Sequence, residues 1–246
     1  MMRTTIKRYY EKPEELECKA RIVGIYDLAI ELDQTIAYPE GGGQEGDHGK
    51  IRLLENPNIA IEFNDAQICD AIPILIDGFP GIKTGGIILH KVENRDELIN
   101  FNVGDEVLLR IDRDRRRKMS LNHSAAHILY WAIDLCRPGV VGNTIGCHIK
   151  TDGARLDFLV EDRFNQEEIN KIEELANDLI RGGCSITMSS REGYPDARYW
   201  ECNGYVIPCG GTHVKNTNEL PLLKVQRKNI GKGKERLILE PISQSS

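Results

Sequence analysis

The residues best equipped for chemistry stand in two pairs: His123 and His127 in Asn-His-Ser-Ala-Ala-His, and Cys209 and His213 in Cys-Gly-Gly-Thr-His. Three imidazoles and a thiol are donors that suit Zn²⁺. If the chain folds so that the two halves meet, they form one metal site. From Leu121, the apolar residues Leu121, Ala125, Ile128, Leu129, Ala132 and Cys136 follow the spacing of an amphipathic helix. Ser120 or Asn122 can cap its start, and Arg137-Pro138-Gly139 stops it. At about 100° per residue, His123 and His127 project opposite the apolar stripe, one turn apart. That argues against core histidines and leaves a pair of solvated surface histidines as the plain alternative. Cys209 and His213 follow the extended run Val206-Ile207-Pro208. Gly210 and Gly211 then let the backbone turn tightly enough to aim both side chains at one point.

The elements that must carry these pairs divide near Arg113-Asp114-Arg115-Arg116-Arg117. Before the divide, short β segments are expected at residues 18–26, 29–37, 50–54, 59–63, 86–92 and 106–112. Turns such as Glu55-Asn56-Pro57-Asn58 and Asp77-Gly78-Phe79-Pro80-Gly81 separate them. This pattern implies a small barrel or sandwich. After the divide, the histidine helix is followed by a strand at 154–160 and a second helix. Asn165 and Glu168 form a capping box for that helix, which ends at Gly182-Gly183. Strands at 185–189, 222–226 and 236–239 complete the set. The expected fold is α+β: an N-terminal small β-barrel domain (1–114), then an α/β two-layer domain (115–246) with helices on a mainly antiparallel sheet.

With 40% hydrophobic and 28% charged residues, the 246-residue chain has the composition of an ordinary globular protein. No apolar run approaches the roughly 18 residues of a membrane span, and the polar start is not a signal peptide. A cytoplasmic protein without membrane association is expected. Seven cysteines without a CxxC pair argue for reduced thiols, not a disulfide framework.

A net charge of -6 argues against non-specific coating of nucleic acid. Locally, however, six of the nine positions from Arg110 to Lys118 are basic, as are six of the thirteen from Lys224 to Arg236. A solvated linker and a solvated hairpin would explain both clusters. Alternatively, Arg115, Arg116, Arg117, Lys118, Lys228, Lys232 and Lys234 are candidates for phosphate contacts beside the metal halves. The loop Tyr38 to Gly49 holds five glycines, more than one hairpin turn requires. Bare backbone N–H groups there can approach a ligand. It lacks the lysine of a phosphate-binding loop, which argues against a nucleoside triphosphate site.

Taken in order, Gly41-Gly42-Gly43-Gln44-Glu45-Gly46-Asp47, Asn122 to His127, Arg155-Leu156-Asp157-Phe158 and Cys209 to Val214 resemble the editing domain of alanyl-tRNA synthetase. The chain is similar to the freestanding relatives of that domain, the AlaX trans-editing proteins, in their medium-length form. It lacks the motifs of the aminoacylation domain. The resemblance implies zinc held by His123, His127, Cys209 and His213, and deacylation of seryl-tRNA(Ala) and glycyl-tRNA(Ala). It also implies that the loop of Gly41, Gly42, Gly43 and Gln44 closes over the substrate and selects serine by its hydroxyl. Ala126 stands where some relatives have threonine. Asn143 or Thr144 takes the place of a glutamine found after the histidine helix in many synthetases, as a candidate for positioning water or substrate. Arg155 and Asp157 read most simply as an ion pair. A deacylase for another mischarged tRNA, such as seryl-tRNA(Thr), and a non-catalytic RNA-binding module stabilised by zinc are the alternatives.

Overall fold

Alternation of side chains builds the first sheet. In Glu17–Tyr26, Cys18, Ala20 and Ile22 point inward while Glu17, Lys19 and Arg21 remain exposed, the period of a half-buried strand. The computed structural model describes residues 3–79 and 81–242; Pro80 of the expected turn and the first two residues of the chain lie outside the described residues. The chain forms two compact units. The first comprises residues up to Gly41, Glu45–Arg117 and Ser190–Arg198, and the second comprises Gly42–Gln44, Lys118–Ser189 and the segment from Tyr199 onward.

The first unit carries β1 (Ile6–Lys7), β2 (Glu17–Tyr26), β3 (Ala29–Leu32), β4 (Gln34–Thr35), β5 (Gly49–Leu53) and β6 (Ala60–Phe63). These are followed by β7 (Asp65–Cys69), β8 (Ile72–Pro73), β9 (Lys83–Thr84), β10 (Ile87–Lys91) and β11 (Glu106–Ile111). Seven of them form one antiparallel sheet in the order β6-β5-β11-β2-β3-β10-β7. Ile22, Leu32, Ile51, Phe63, Ile88 and Leu109 fill its core. The expected strand over 29–37 is broken at Asp33, and β7 joins the sheet where no strand was expected.

Helix α1 (Arg113–Cys136) begins well before the expected start. Asp112 is its cap, accepting the Arg115 N–H at 3.0 Å. The run of arginines and lysine belongs to the helix because these residues are good helix formers. Ser120 and Asn122 are therefore interior positions, not caps. Residues 113–117 of α1 group with the first unit and the rest of the helix with the second.

Along the chain there follow β12 (Thr144–Lys150), β13 (Gly153–Leu159), α2 (Gln166–Gly182), β14 (Ile186–Arg191), β15 (Tyr194–Cys202), β16 (Tyr205–Pro208), β17 (Leu223–Gly231) and β18 (Lys234–Pro241), all in the second unit except Ser190–Arg198 at the end of β14 and the start of β15. An antiparallel sheet runs β12-β13-β18-β17, and a second sheet runs β14-β15-β16. The Asn165 and Glu168 capping box opens α2, and Gly183 closes it in the left-handed region at φ 68°. α2 buries Ile169, Ile172, Ala176, Leu179 and Ile180. Its Asn177 side chain donates to the Leu223 carbonyl and accepts the Leu223 N–H, fixing α2 to β17. The protein is thus α+β, with a large antiparallel sheet and few helices. None of the helices among the described residues is long and apolar enough to cross a membrane.

Candidate metal centre

α1 buries more than one face. Ala125, Ile128, Leu129 and Ala132 enter the apolar core of the second unit. His123 and His127, on the other side, are also buried, at 3% and 5% exposure. Helical phase separated the two faces correctly, but the histidine face meets a polar interior and not water. The solvated-surface alternative is thereby excluded.

Donor atoms of His123, His127, Cys209 and His213 all lie within 4.8 Å of one another. Cys209 Sγ stands 3.5 Å from His123 Nε2 and 3.4 Å from His213 Nε2. Four ligands placed tetrahedrally about 2.0–2.3 Å from one ion stand roughly 3.3–3.8 Å apart, so these separations suit a shared cation. The other ring nitrogens are also informative. His123 Nδ1 is 2.7 Å from Gln44 Oε1, and His213 Nδ1 is 3.2 Å from the Ser124 hydroxyl, which also accepts the Val214 N–H. Such outer partners orient imidazoles toward a metal. His127 Nδ1 is buried without a hydrogen-bond partner among the described residues. Its ring stacks on Trp200, with centroids 4.8 Å apart.

The electrostatics favour a cation over any charge of the site's own. Burial drives His123 down to about 3. Burial, reinforced by repulsion from neighbouring imidazoles, holds His127 and His213 well below the ordinary histidine value. Burial pushes the Cys209 thiol up to about 12, against a smaller opposing effect of the Gly211 N–H. Alone, the cluster is three neutral imidazoles and a neutral thiol. A bound cation supplies the charge that lets the thiol ionise and ligate. The donor set therefore fits a transition metal.

Gly211 is required for a reason the sequence did not disclose. A Cβ there would lie 2.2 Å from His123 Cε1, so close approach to the ring, and not a left-handed turn, demands glycine. Within the second unit, the Gly43 carbonyl accepts the Ile149 N–H at 2.8 Å, and a Cβ on Gly43 would meet the Cys147 carbonyl at 2.8 Å. Gly42 has φ +60° with open space where a side chain would stand. Gly41 belongs to the first unit, where its carbonyl accepts the Tyr38 hydroxyl. Gln44 is fully buried and spends its carboxamide on His123 and Thr212, so it is not placed as a substrate contact.

Other expected site residues lie elsewhere. Thr144 donates its hydroxyl to the Val141 carbonyl. Asn143 lines an outer cleft with Arg137, Glu161 and Lys232, apart from the four donors. Neither side chain is hydrogen-bonded to any of the four donors among the described residues. Arg116 is 4% exposed, paired with Asp47 and donating to the Ile36 and Pro13 carbonyls. A buried guanidinium so engaged holds the fold together and is not available to a phosphate. Arg115 is half-buried and directs its guanidinium to Glu45 and the Gly46 carbonyl. Arg117, Lys118, Lys228, Lys232 and Lys234 are exposed.

Arg155 does pair with Asp157, and Arg236 joins them at 2.7 Å. Burial alone would raise the Asp157 carboxyl, but the two guanidinium groups outweigh it and hold the group below its usual value. Trp200 carried no sequence signal, since a tryptophan in a strand reads as core. Ser124 and Thr212 could have been noticed only as polar residues inside the two motifs.

Residues 198–238, which include Cys209 and His213, match the family described as threonyl and alanyl tRNA synthetase second additional domain. The chain is 30% identical over 256 residues to the alanine–tRNA ligase of Methanopyrus kandleri and 30% identical over 253 residues to that of Methanococcus aeolicus. Each alignment covers 93% of this chain but 25% of the ligase, so the chain spans about a quarter of these enzymes. Fold and site thus define a relative of that synthetase domain. Over 239 residues it is also 33% identical to the alanyl-tRNA editing protein AlaX-M of Pyrococcus horikoshii, covering 96% of this chain and 98% of that protein. The chain belongs to the AlaX family of alanyl-tRNA editing proteins.

Proposed function

We propose that this protein is a zinc-dependent trans-editing hydrolase that removes serine, and glycine as a second substrate, from mischarged tRNA(Ala). The observation that carries this reading is the convergence of three imidazoles, two of them buried, and one thiol in a chain aligned over nearly its full length with an alanyl-tRNA editing protein. The reaction is ester hydrolysis: water adds to the aminoacyl carbonyl, its oxygen remains on the released amino acid, and the ribose oxygen leaves as a hydroxyl. His123, His127, Cys209 and His213 would hold zinc. When bound, zinc supplies a Lewis acid beside the ester.

The protein's own part is to hold the donors in place and admit the acceptor end of the tRNA. Open space beside Gly42 supports a loop that a substrate can approach closely. Selecting serine over alanine by its hydroxyl is physically sufficient, because a polar partner left unpaired by alanine costs about 1–3 kcal/mol, whereas glycine has no hydroxyl and differs from alanine only in its smaller size. Exposed Lys118, Lys228, Lys232 and Lys234, together with Arg117, suit phosphate recognition. Replacing the lysines with alanine should weaken tRNA binding and reduce the salt slope by roughly one for each phosphate no longer neutralised. For the first unit, a small barrel is supported by chain order: only Asn64 separates β6 from β7, the two outermost strands of the sheet.

The test is deacylation of seryl-, glycyl- and alanyl-tRNA(Ala) and of seryl-tRNA(Thr) by the full chain. Hydrolysis of the first two with alanyl-tRNA(Ala) spared is expected. Hydrolysis of seryl-tRNA(Thr) alone would reassign the substrate, and hydrolysis of none with zinc bound would make the site structural.

A further inference from the structure

We propose that Gln44 is a positioning residue of the metal centre: it fixes the tautomer of His123 and ties the helix that carries two donors to the loop that carries the other two. The inference rests on reading the four-donor cluster as a metal site, and it assigns Gln44 to a ligand instead of to the substrate.

The argument begins with the carboxamide. The Thr212 backbone N–H, which can only donate, points at one Gln44 atom at 3.1 Å, so that atom is the oxygen Oε1. The same oxygen lies 2.7 Å from His123 Nδ1. A carbonyl oxygen cannot donate, so Nδ1 carries the proton and Nε2 keeps its lone pair, on the side facing Cys209 Sγ at 3.5 Å. Gln44 Nε2 donates to the Thr212 hydroxyl at 3.0 Å, and that hydroxyl also accepts from Ser120 of α1. One buried side chain thus grips His123 on the helix and Thr212, the neighbour of His213, on the loop.

The grip is built to be rigid. Gln44 pairs as an isolated bridge with Ile149 of β12, and Gly43 before it is pressed against the Cys147 carbonyl. With Gly211 packed on the His123 ring from the loop side, neither the ring nor the carboxamide has room to turn. His213 has a single hydroxyl, that of Ser124, in the corresponding place. Outer partners that orient a metal-binding imidazole are worth roughly 10- to 100-fold in metal affinity.

The experiment uses the full chain and three proteins: wild type, Gln44→Leu, which keeps the bulk and removes the acceptor, and Gln44→Glu, which keeps an acceptor. Imidazole nitrogen NMR of the metal-free proteins reads the His123 tautomer, and zinc titration against a competing chelator reads affinity. Wild type and Gln44→Glu should show the Nδ1–H form. Gln44→Leu should lose that preference and bind zinc roughly 10- to 100-fold more weakly. Unchanged tautomer and affinity in Gln44→Leu would overturn the proposal. Should that variant not fold, an Nε2–H form of His123 in wild type or in Gln44→Glu overturns it instead. A wild type that binds no zinc overturns the metal reading, while the tautomer comparison still decides the role of Gln44.

Discussion

His90 in the first unit and three of the four histidines of the second, His123, His127 and His213, are all imidazoles at least partly withdrawn from solvent, yet they do opposite things. His90 has both nitrogens engaged, Nδ1 with the Ile30 carbonyl at 3.1 Å and Nε2 with the Thr35 hydroxyl at 2.8 Å. It is a satisfied core residue, neutral because burial pushes it down to about 4. His123 and His213 have one nitrogen held by an outer partner, while the other converges on Cys209. His127 leaves Nδ1 without any partner among the described residues. At least partial burial is common to all four; what separates a site from a core histidine is where the unpaired lone pairs point.

The largest effect is expected from removing a donor. Cys209→Ala should abolish metal retention and deacylation, a loss exceeding the roughly 10- to 100-fold of an outer partner. Elemental analysis and an activity assay check it, and a variant that keeps both would erase the distinction from His90. Crowding the ring comes next. Gly211→Ala should displace His123 and cost about 1–3 kcal/mol of stability together with metal affinity, as overpacking does. Thermal unfolding with and without zinc reads both, and an unperturbed variant would mean that the loop yields.

The His90 side of the comparison is sharpened by pH. Its folded pKa lies below the unfolded value, so the unfolded chain binds the proton first as pH falls. Stability is then complete above about 6.5 and declines toward pH 4, by on the order of 3 kcal/mol. In His90→Gln that contribution should vanish from the difference between denaturation midpoints at pH 7 and pH 4. An identical acid loss in wild type and variant would show that His90 is not its source. The smallest stability effect belongs to Gly42→Val. With open space around it, the strain is confined to the left-handed backbone, of order 1–2 kcal/mol. Serine hydrolysis should fall before folding does, and equal loss of both would remove the loop from substrate selection.

Local rules made much of this legible in the sequence. Asn165 with Glu168, Gly183 and the stop at Arg137-Pro138-Gly139 marked helix ends because caps are chemical and local. Alternation located most of the strands in the first unit's sheet. The beginning of α1 was missed because a basic run that reads as a solvated linker is also a good helix, and Asp112 was not recognised as its cap. Periodicity told one face of α1 from the other but could not say that the histidine face was covered as well. Gln44 drew notice for its glycines, yet its bond to His123 spans a sequence separation of 79 residues and is a product of tertiary structure. Arg116 looked like its exposed neighbours until Asp47 closed on it.

The central claim is that the cluster is a metal centre on which deacylation depends. The most direct test is the metal content of the purified full chain, followed by seryl-tRNA(Ala) hydrolysis before chelation, after it, and after zinc is restored. About one zinc per chain is predicted, with activity lost on chelation and recovered on addition. A chain that holds no metal, or that hydrolyses the ester equally well after chelation, would contradict it.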